Sequence, residues 1–248
     1  MKKITRSLAS VAAALGLAGA GLVAAPAAQA ADLTCSGIIS GRTMTGDITV
    51  PEGATCTIRS STVTADYVYV APNATLITEN SSVSGFISVE RGATLRATEG
   101  SLGDVLADSQ KLIRIHGTSV GSLNVSQGGT VTTTRMRVRD DAYFYGMGGT
   151  VSHSWGRFSN YVSQYGSARN RFMIRSSVVG ADVSVQQSGH VLVGRNTVYG
   201  NIFVHDNRGT VYIEGNRADL YLSCDGNRYQ PTGGNNTAWD KWGQCASL

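Results

Sequence analysis

Proline is nearly absent from this sequence: the 248-residue chain has 4, against 30 glycines. Beyond the N-terminal segment no stretch sustains a helical period, so a helical or α/β fold is excluded. Asn-Gly turns between long alternating strands are missing too, which argues against hairpin-built barrels and sandwiches. A period near 40, as a propeller needs, is likewise absent. There is no CxxC pair and no histidine-rich spacing of the zinc-binding kind. No Gly-x-Ser-x-Gly elbow in a strand-to-helix context exists to present a nucleophilic serine. What remains is a strand-and-turn composition rich in Val, Thr and Ser.

The first 30 residues read as a signal peptide. Lys2, Lys3 and Arg6 precede an apolar run from Leu8 to Ala25, and Ala28-Gln29-Ala30 forms a cleavage site before Ala31. No stop-transfer charges follow, so no membrane insertion is expected after cleavage. The full chain has 21 Lys+Arg and 17 Asp+Glu. Three of the cations and none of the acids fall in residues 1–30, which leaves 18 against 17, a net of +1. Bulk charge therefore gives no support for a nucleic-acid or anionic-membrane partner. In an exported chain the even set Cys35, Cys56, Cys224 and Cys245 is expected to form disulfides. The cysteines fall into two local pairs, Cys35 with Cys56 and Cys224 with Cys245, and local pairing is the simplest connectivity.

The strongest feature is an internal repeat. Gly53-Ala54-Thr55-Cys56, Asn73-Ala74-Thr75-Leu76, Gly92-Ala93-Thr94-Leu95, the degenerate Ser109-Gln110-Lys111-Leu112, Gly128-Gly129-Thr130-Val131 and Gly148-Gly149-Thr150-Val151 recur every 18 to 22 residues or so. Apolar pairs such as Ile48/Val50, Val68/Val70, Ile202/Val204 and Leu220/Leu222 precede the copies. A further apolar column follows them: Val63, Val83, Leu102, Val120, Val138, Phe158, Val178 and Val198. Each period thus holds three short strands. Stacked about 4.8 Å apart, equivalent residues become continuous ladders. The expected fold is all-β: a single right-handed, three-sided parallel β-helix of about nine rungs, roughly 45 Å long. The coil spans residues 31–223, and residues 224–248 form a disulfide-tied C-terminal cap. The disulfides then protect the exposed edges of the end rungs, and Trp239 and Trp242 cover the core. Asn80, Asn196 and Asn216 occupy equivalent turns and suggest an asparagine ladder.

The repeat, with the tail segments Leu222-Ser223-Cys224-Asp225-Gly226-Asn227, Gly233-Gly234-Asn235-Asn236-Thr237 and Gly243-Gln244-Cys245, resembles secreted right-handed β-helix proteins of the pectate-lyase-like superfamily, in particular small uncharacterised actinobacterial members. The resemblance implies the fold and carries no activity with it.

Outward positions of the strand before each repeat phrase align in two columns. One reads Asp47, Tyr67, Phe86, Asp104, Ser122, Asp141, Asp182, Asn201 and Asp219. The other reads Thr49, Tyr69, Ser88, Leu106, Asn124, Tyr143, Ser184, Phe203 and Tyr221. Aromatic rings stack on sugar rings and carboxylates accept hydrogen bonds from hydroxyls. Asp104, Asp141, Tyr143, Asp182, Phe203 and Tyr221 are accordingly the candidate glycan-binding residues. The competing reading is that Asp and Asn at strand entries serve turn amides. Tyr143, Tyr145, Trp155, Phe158, Tyr161 and Tyr165 crowd one irregular region. His116, His153, His190 and His205 read as surface residues. No catalytic residue, metal site or cofactor is assigned. The only lyase-like grouping is Asp140-Asp141 with Arg137 or Arg139, and Asp104 and Asp141 lie about 10 Å apart, two rungs, a marginal spacing for a glycosidase. The expected protein is a secreted, extracellular monomer with a non-catalytic binding or structural role. Its partner would be an extracellular polysaccharide or cell-wall glycan, and the alternative is a polysaccharide lyase or glycoside hydrolase.

Overall fold

In the computed structural model, which describes residues 32–248, the chain is a parallel β-solenoid of about 11 turns, slightly more than the sequence period suggests. The expected signal peptide lies outside the described residues. Each turn contributes one strand to each of three faces. Face 1 begins with Leu33–Thr34, Ile48–Val50 and Tyr67–Val70 and ends with Tyr221–Asp225 and Asp240–Gly243. Face 2 runs from Ile38–Ser40 and Thr55–Arg59 to Thr232–Gly234. Face 3 is made of short pieces such as Arg137–Val138, Arg157–Phe158 and Arg217–Ala218. Every strand pairs in parallel with its counterpart one turn away, as in Ile48↔Val68 and Val138↔Phe158.

The sequence coils this way because three apolar columns point inward. Val68, Ile87, Leu123 and Ile202 fill face 1, Leu76, Ile113 and Phe172 fill face 2, and Val63, Leu102 and Phe158 fill face 3. On face 3 the column passes through Val179, which is fully buried, and Val178 lies outside it. The disulfides Cys35–Cys56 and Cys224–Cys245 sit near the two ends, with Cα separations of 5.4 and 5.1 Å. Such bonds form and persist in an oxidising compartment. No helix among the described residues is long and apolar enough to cross a membrane.

Three sequence expectations change. Leu220 is exposed, and the last inward pair on face 1 is Leu222 with Cys224, in register with Ile202 and Val204. Trp239 and Trp242 are 77% and 56% exposed and do not cover the core. That end is closed by Cys245, Leu248 and half-buried Lys241, whose Nζ donates to the Leu248 carbonyl. His153 is buried and not on the surface.

Polar ladders reinforce the corners. At the corner after face 2, Asn196 Nδ2 donates to Asn216 Oδ1 and Asn216 Nδ2 to Asn236 Oδ1, both at 2.9 Å. Each of these amide nitrogens also donates to a core-strand carbonyl, and the Asn216 and Asn236 oxygens accept the backbone N–H of the asparagine one turn before. A parallel ladder of Asn207 and Asn227 runs along the corner after face 1 and ends on Gln244. At the N-terminal turns the corner after face 2 carries Ser61 and Ser81. Asn80, the residue before Ser81, is exposed and left-handed (φ 51°) and stands outside the ladder. An Asn216→Ala change strands partners on both sides, so unfolding should cost about 2–4 kcal/mol less in a denaturant titration. Asn80→Gly should be close to neutral.

His153 packs among Phe144, Phe158 and Phe172 and bonds Thr133 Oγ1 through Nδ1 at 2.7 Å. Burial lowers its pKa to about 3. The unfolded chain, with an ordinary histidine, therefore takes up a proton before the folded one does. This contribution to stability is intact above about pH 6.5 and is lost as pH falls from there toward 3, at up to about 1.4 kcal/mol per unit. Thermal unfolding of the wild type and of His153→Met should diverge in slope against pH across that window, with the variant the flatter.

Candidate functional site

Face 1 is the functional candidate because its outward columns combine aromatic rings with hydrogen-bonding groups. Strand register fixes the first column as Asp47, Tyr67, Phe86, Asp104, Ser122, Asp141, Tyr161, Asp182, Asn201, Tyr221 and Asp240. The second contains Tyr69, Leu106, Tyr143, Ser163, Phe203, Ser223 and Trp242. Two corrections to the sequence alignment follow. Tyr161 and Ser163 supply a rung between Asp141 and Asp182. Tyr221 belongs to the first column, below Asn201, where Asp219 was expected. The region around residues 139–165 is regular, and the register shift is confined to the corner between Ser167 and Arg171.

The aspartates have a structural duty. Asp104 Oδ1 accepts the Ser122 N–H at 2.8 Å and its hydroxyl at 3.0 Å. Asp141 Oδ1 accepts the Tyr161 N–H at 3.1 Å, and Asp182 Oδ1 the Asn201 N–H at 2.6 Å. Each carboxylate thus caps the entry of the strand one turn on, which is the turn-amide reading. Asp104, Asp141 and Asp182 stand two rungs apart in succession, about 10 Å. Among the described residues no three His, Cys, Asp or Glu groups gather as a metal site.

The six candidate residues divide among four places. Asp141 and Tyr143 are neighbours in the middle of the face. Burial raises the Tyr143 pKa, and the charge and hydrogen bond of Asp141 raise it further. Tyr145 stacks on Tyr165 nearby, with ring centroids 5.7 Å apart. Asp182 stands alone.

Asp104 lies in a recess of about 410 Å³ with Phe86, Ser82, Ser101 and Arg139. The recess exists because the corner between faces 3 and 1 shortens. Thr64–Asp66 span it in one turn, Ser84 and Gly85 in the next, Gly103 alone in the third. A side chain at Gly103 would drive into the Gly85 carbonyl, so only glycine allows the tight step. Arg139 leans back over two turns to donate to the Leu102 carbonyl at 3.4 Å.

Phe203 and Tyr221 come together at the C-terminal end. With Ser223 and Trp242 they line a cleft of about 300 Å³. Ser223 lies between Phe203 above and Trp242 below in the same column, with Tyr221 two residues away on the strand. Tyr221 stacks on Trp239 (6.4 Å, 18° between planes) and meets Trp242 edge-on (5.9 Å, 76°). The Ser223 hydroxyl and His205 Nε2 are 3.2 Å apart. This site offers exposed π-faces around a polar floor, the arrangement that takes a ring with one apolar face and hydroxyl edges.

Sequence alternation misses Trp242 and Ser223 because it runs through Leu220/Leu222. The asparagines carry the correct register: Asn216 bonds Asn236, and Asn207 bonds Asn227, each 20 residues on. In the tail the step shortens to 19, which pairs Ser223 with Trp242.

No family model, curated protein or solved structure matches this chain. Of the expected resemblance, the parallel coil is the part that the structure bears out.

Exchanging Asp141 for Asn keeps an oxygen for the Tyr161 cap while removing the charge. The Tyr143 pKa should then fall, yet stay above its ordinary value because burial is the larger cause. NMR titration with ring-labelled tyrosine, assigned through Tyr143→Phe, reads both outcomes.

Proposed function

We propose that this is a secreted, monomeric, non-catalytic protein that binds an extracellular polysaccharide or cell-wall glycan along face 1. The carrying observation is the Phe203/Tyr221/Trp242 cleft, where rings from three consecutive rungs converge on one hydroxyl-floored pocket. The signal-like residues 1–30 and the two disulfides support export. From Asp104 to Tyr221 the face extends over six rung steps, roughly 29 Å, so one chain could contact recess, central tyrosines and cleft together.

The alternative, a polysaccharide lyase or glycoside hydrolase, is favoured by one feature. The recess places a carboxylate, Asp104, beside a guanidinium, Arg139.

A glycan array probed with and without Ca²⁺, followed by retention on the insoluble polysaccharide it selects, tests the assignment. Tyr221→Ala and Trp242→Ala should each weaken retention about five- to thirty-fold, equivalent to about 1–2 kcal/mol. Ser152→Ala on face 2 should elute like the wild type. Cleavage products in the flow-through would transfer the assignment to the enzyme reading, and unchanged elution of both aromatic variants would remove the cleft from it.

A further inference from the structure

Over residues 31–248 the near balance of 18 Lys+Arg against 17 Asp+Glu conceals a strong segregation. Between Asp141 and Asp182 the chain has no carboxylate, yet it carries Arg157, Arg169, Arg171 and Arg175. Arginine supplies every cation of residues 31–248 except Lys111 and Lys241. The coil gathers part of this charge on face 3 and its corner with face 2, away from the cleft. Arg137 and Arg157 are in direct register, one rung apart, and both are exposed. Arg135 and Trp155 occupy successive left-handed corner positions beside them, and the Trp155 N–H donates to the Arg175 carbonyl. Trp155 is 63% exposed. Among the described residues the ion pairs are Arg59–Glu79, His116–Glu99 and Arg217–Asp219, so none of Arg135, Arg137, Arg157 and Arg175 has a carboxylate partner.

Their backbones are one rung apart, about 4.8 Å, so two like charges are held on neighbouring turns with no carboxylate between them. They border a groove of about 500 Å³ on face 3, with Val178 and Gly180 beneath and Tyr199 on the far side. We propose that this groove is a second binding surface, and that its ligand is a phosphodiester-linked polyol or sugar polymer. The stereochemistry distinguishes phosphate from carboxylate. The two oxygens of a carboxylate lie in one plane and are satisfied by one guanidinium fork. The non-bridging oxygens of a phosphodiester diverge, so each can take a donor from a different arginine, as neighbours on successive rungs supply. The apolar floor and the Tyr199 ring accommodate the carbon skeleton between phosphates. Arg135, Arg175 and the Trp155 ring extend the surface for a further repeat. The site is separate from the face 1 cleft, and its occupancy does not depend on the glycan reading.

The probe is poly(glycerol phosphate), bound to the intact secreted protein at physiological salt. Polygalacturonate, neutral dextran and duplex DNA serve as comparison ligands. The phosphodiester polymer should bind with an affinity that falls linearly on a log–log plot against salt. Arg137→Gln with Arg157→Gln should weaken binding at least tenfold and make the slope shallower by about two, one for each guanidinium withdrawn from a phosphate. Both side chains are exposed, so the variant should melt with the wild type. The double lysine variant should keep the slope and lose affinity, because an ammonium cannot fork. Trp242→Ala should bind the probe normally, which separates this site from the cleft. Absence of binding, wild-type binding by the glutamine variant, or equal or tighter binding of polygalacturonate or DNA would each overturn the proposal.

Discussion

Everything in this molecule depends on the parallel hydrogen-bond ladder between successive turns. That ladder sets a fixed rise of about 4.8 Å, so each residue's closest partner is the one a full turn away. Side chains are consequently read in columns. A valine column becomes a core wall, an asparagine column a hydrogen-bonded rail, an aspartate column a series of strand caps. It also makes charge or exposed aromatic surface additive along the rod, because like residues at one position are stacked at contact distance.

The aspartates of face 1 show how the same constraint serves two ends. Asp104, Asp141 and Asp182 each cap the next strand, and that duty places carboxylates at regular intervals on the face that also bears the rings. Two-rung spacing makes them a line of acceptors along the face. The cleft arises differently. It needs Phe203, Tyr221 and Trp242 on three consecutive turns, the last of them in the tail. The final disulfide ties that tail down, so the bond that protects an edge also holds a wall of the candidate site.

Much of this was legible from the residues. Column members such as Ile48, Val68 and Ile202 follow from spacing alone, because a parallel coil repeats its inward positions turn after turn. The cysteine pairs were legible for the same reason. The errors fell where corner length changes. The step from Phe158 goes to Val179 because one extra corner residue enters before it, and two adjacent valines offer no signal to choose between them. Tyr221 was displaced by two because Leu220 imitates an inward residue. His153 looks like a surface histidine in sequence, and only its position opposite Thr133, within a column of buried residues, reveals its burial. The Asp104 recess was invisible to any column argument, since it is made by the shortening of a corner and not by a residue pattern.

The amide rails are confined to the C-terminal turns, where Asn196, Asn216 and Asn236 run beside Asn207 and Asn227, while the early turns have only serine at the equivalent corner. In a solenoid, stability is a sum of nearest-neighbour terms and folding spreads from wherever those terms are strongest. By that rule the C-terminal turns, tied by two amide rails, are the more firmly coupled end of the coil, and the serine-cornered early turns the less.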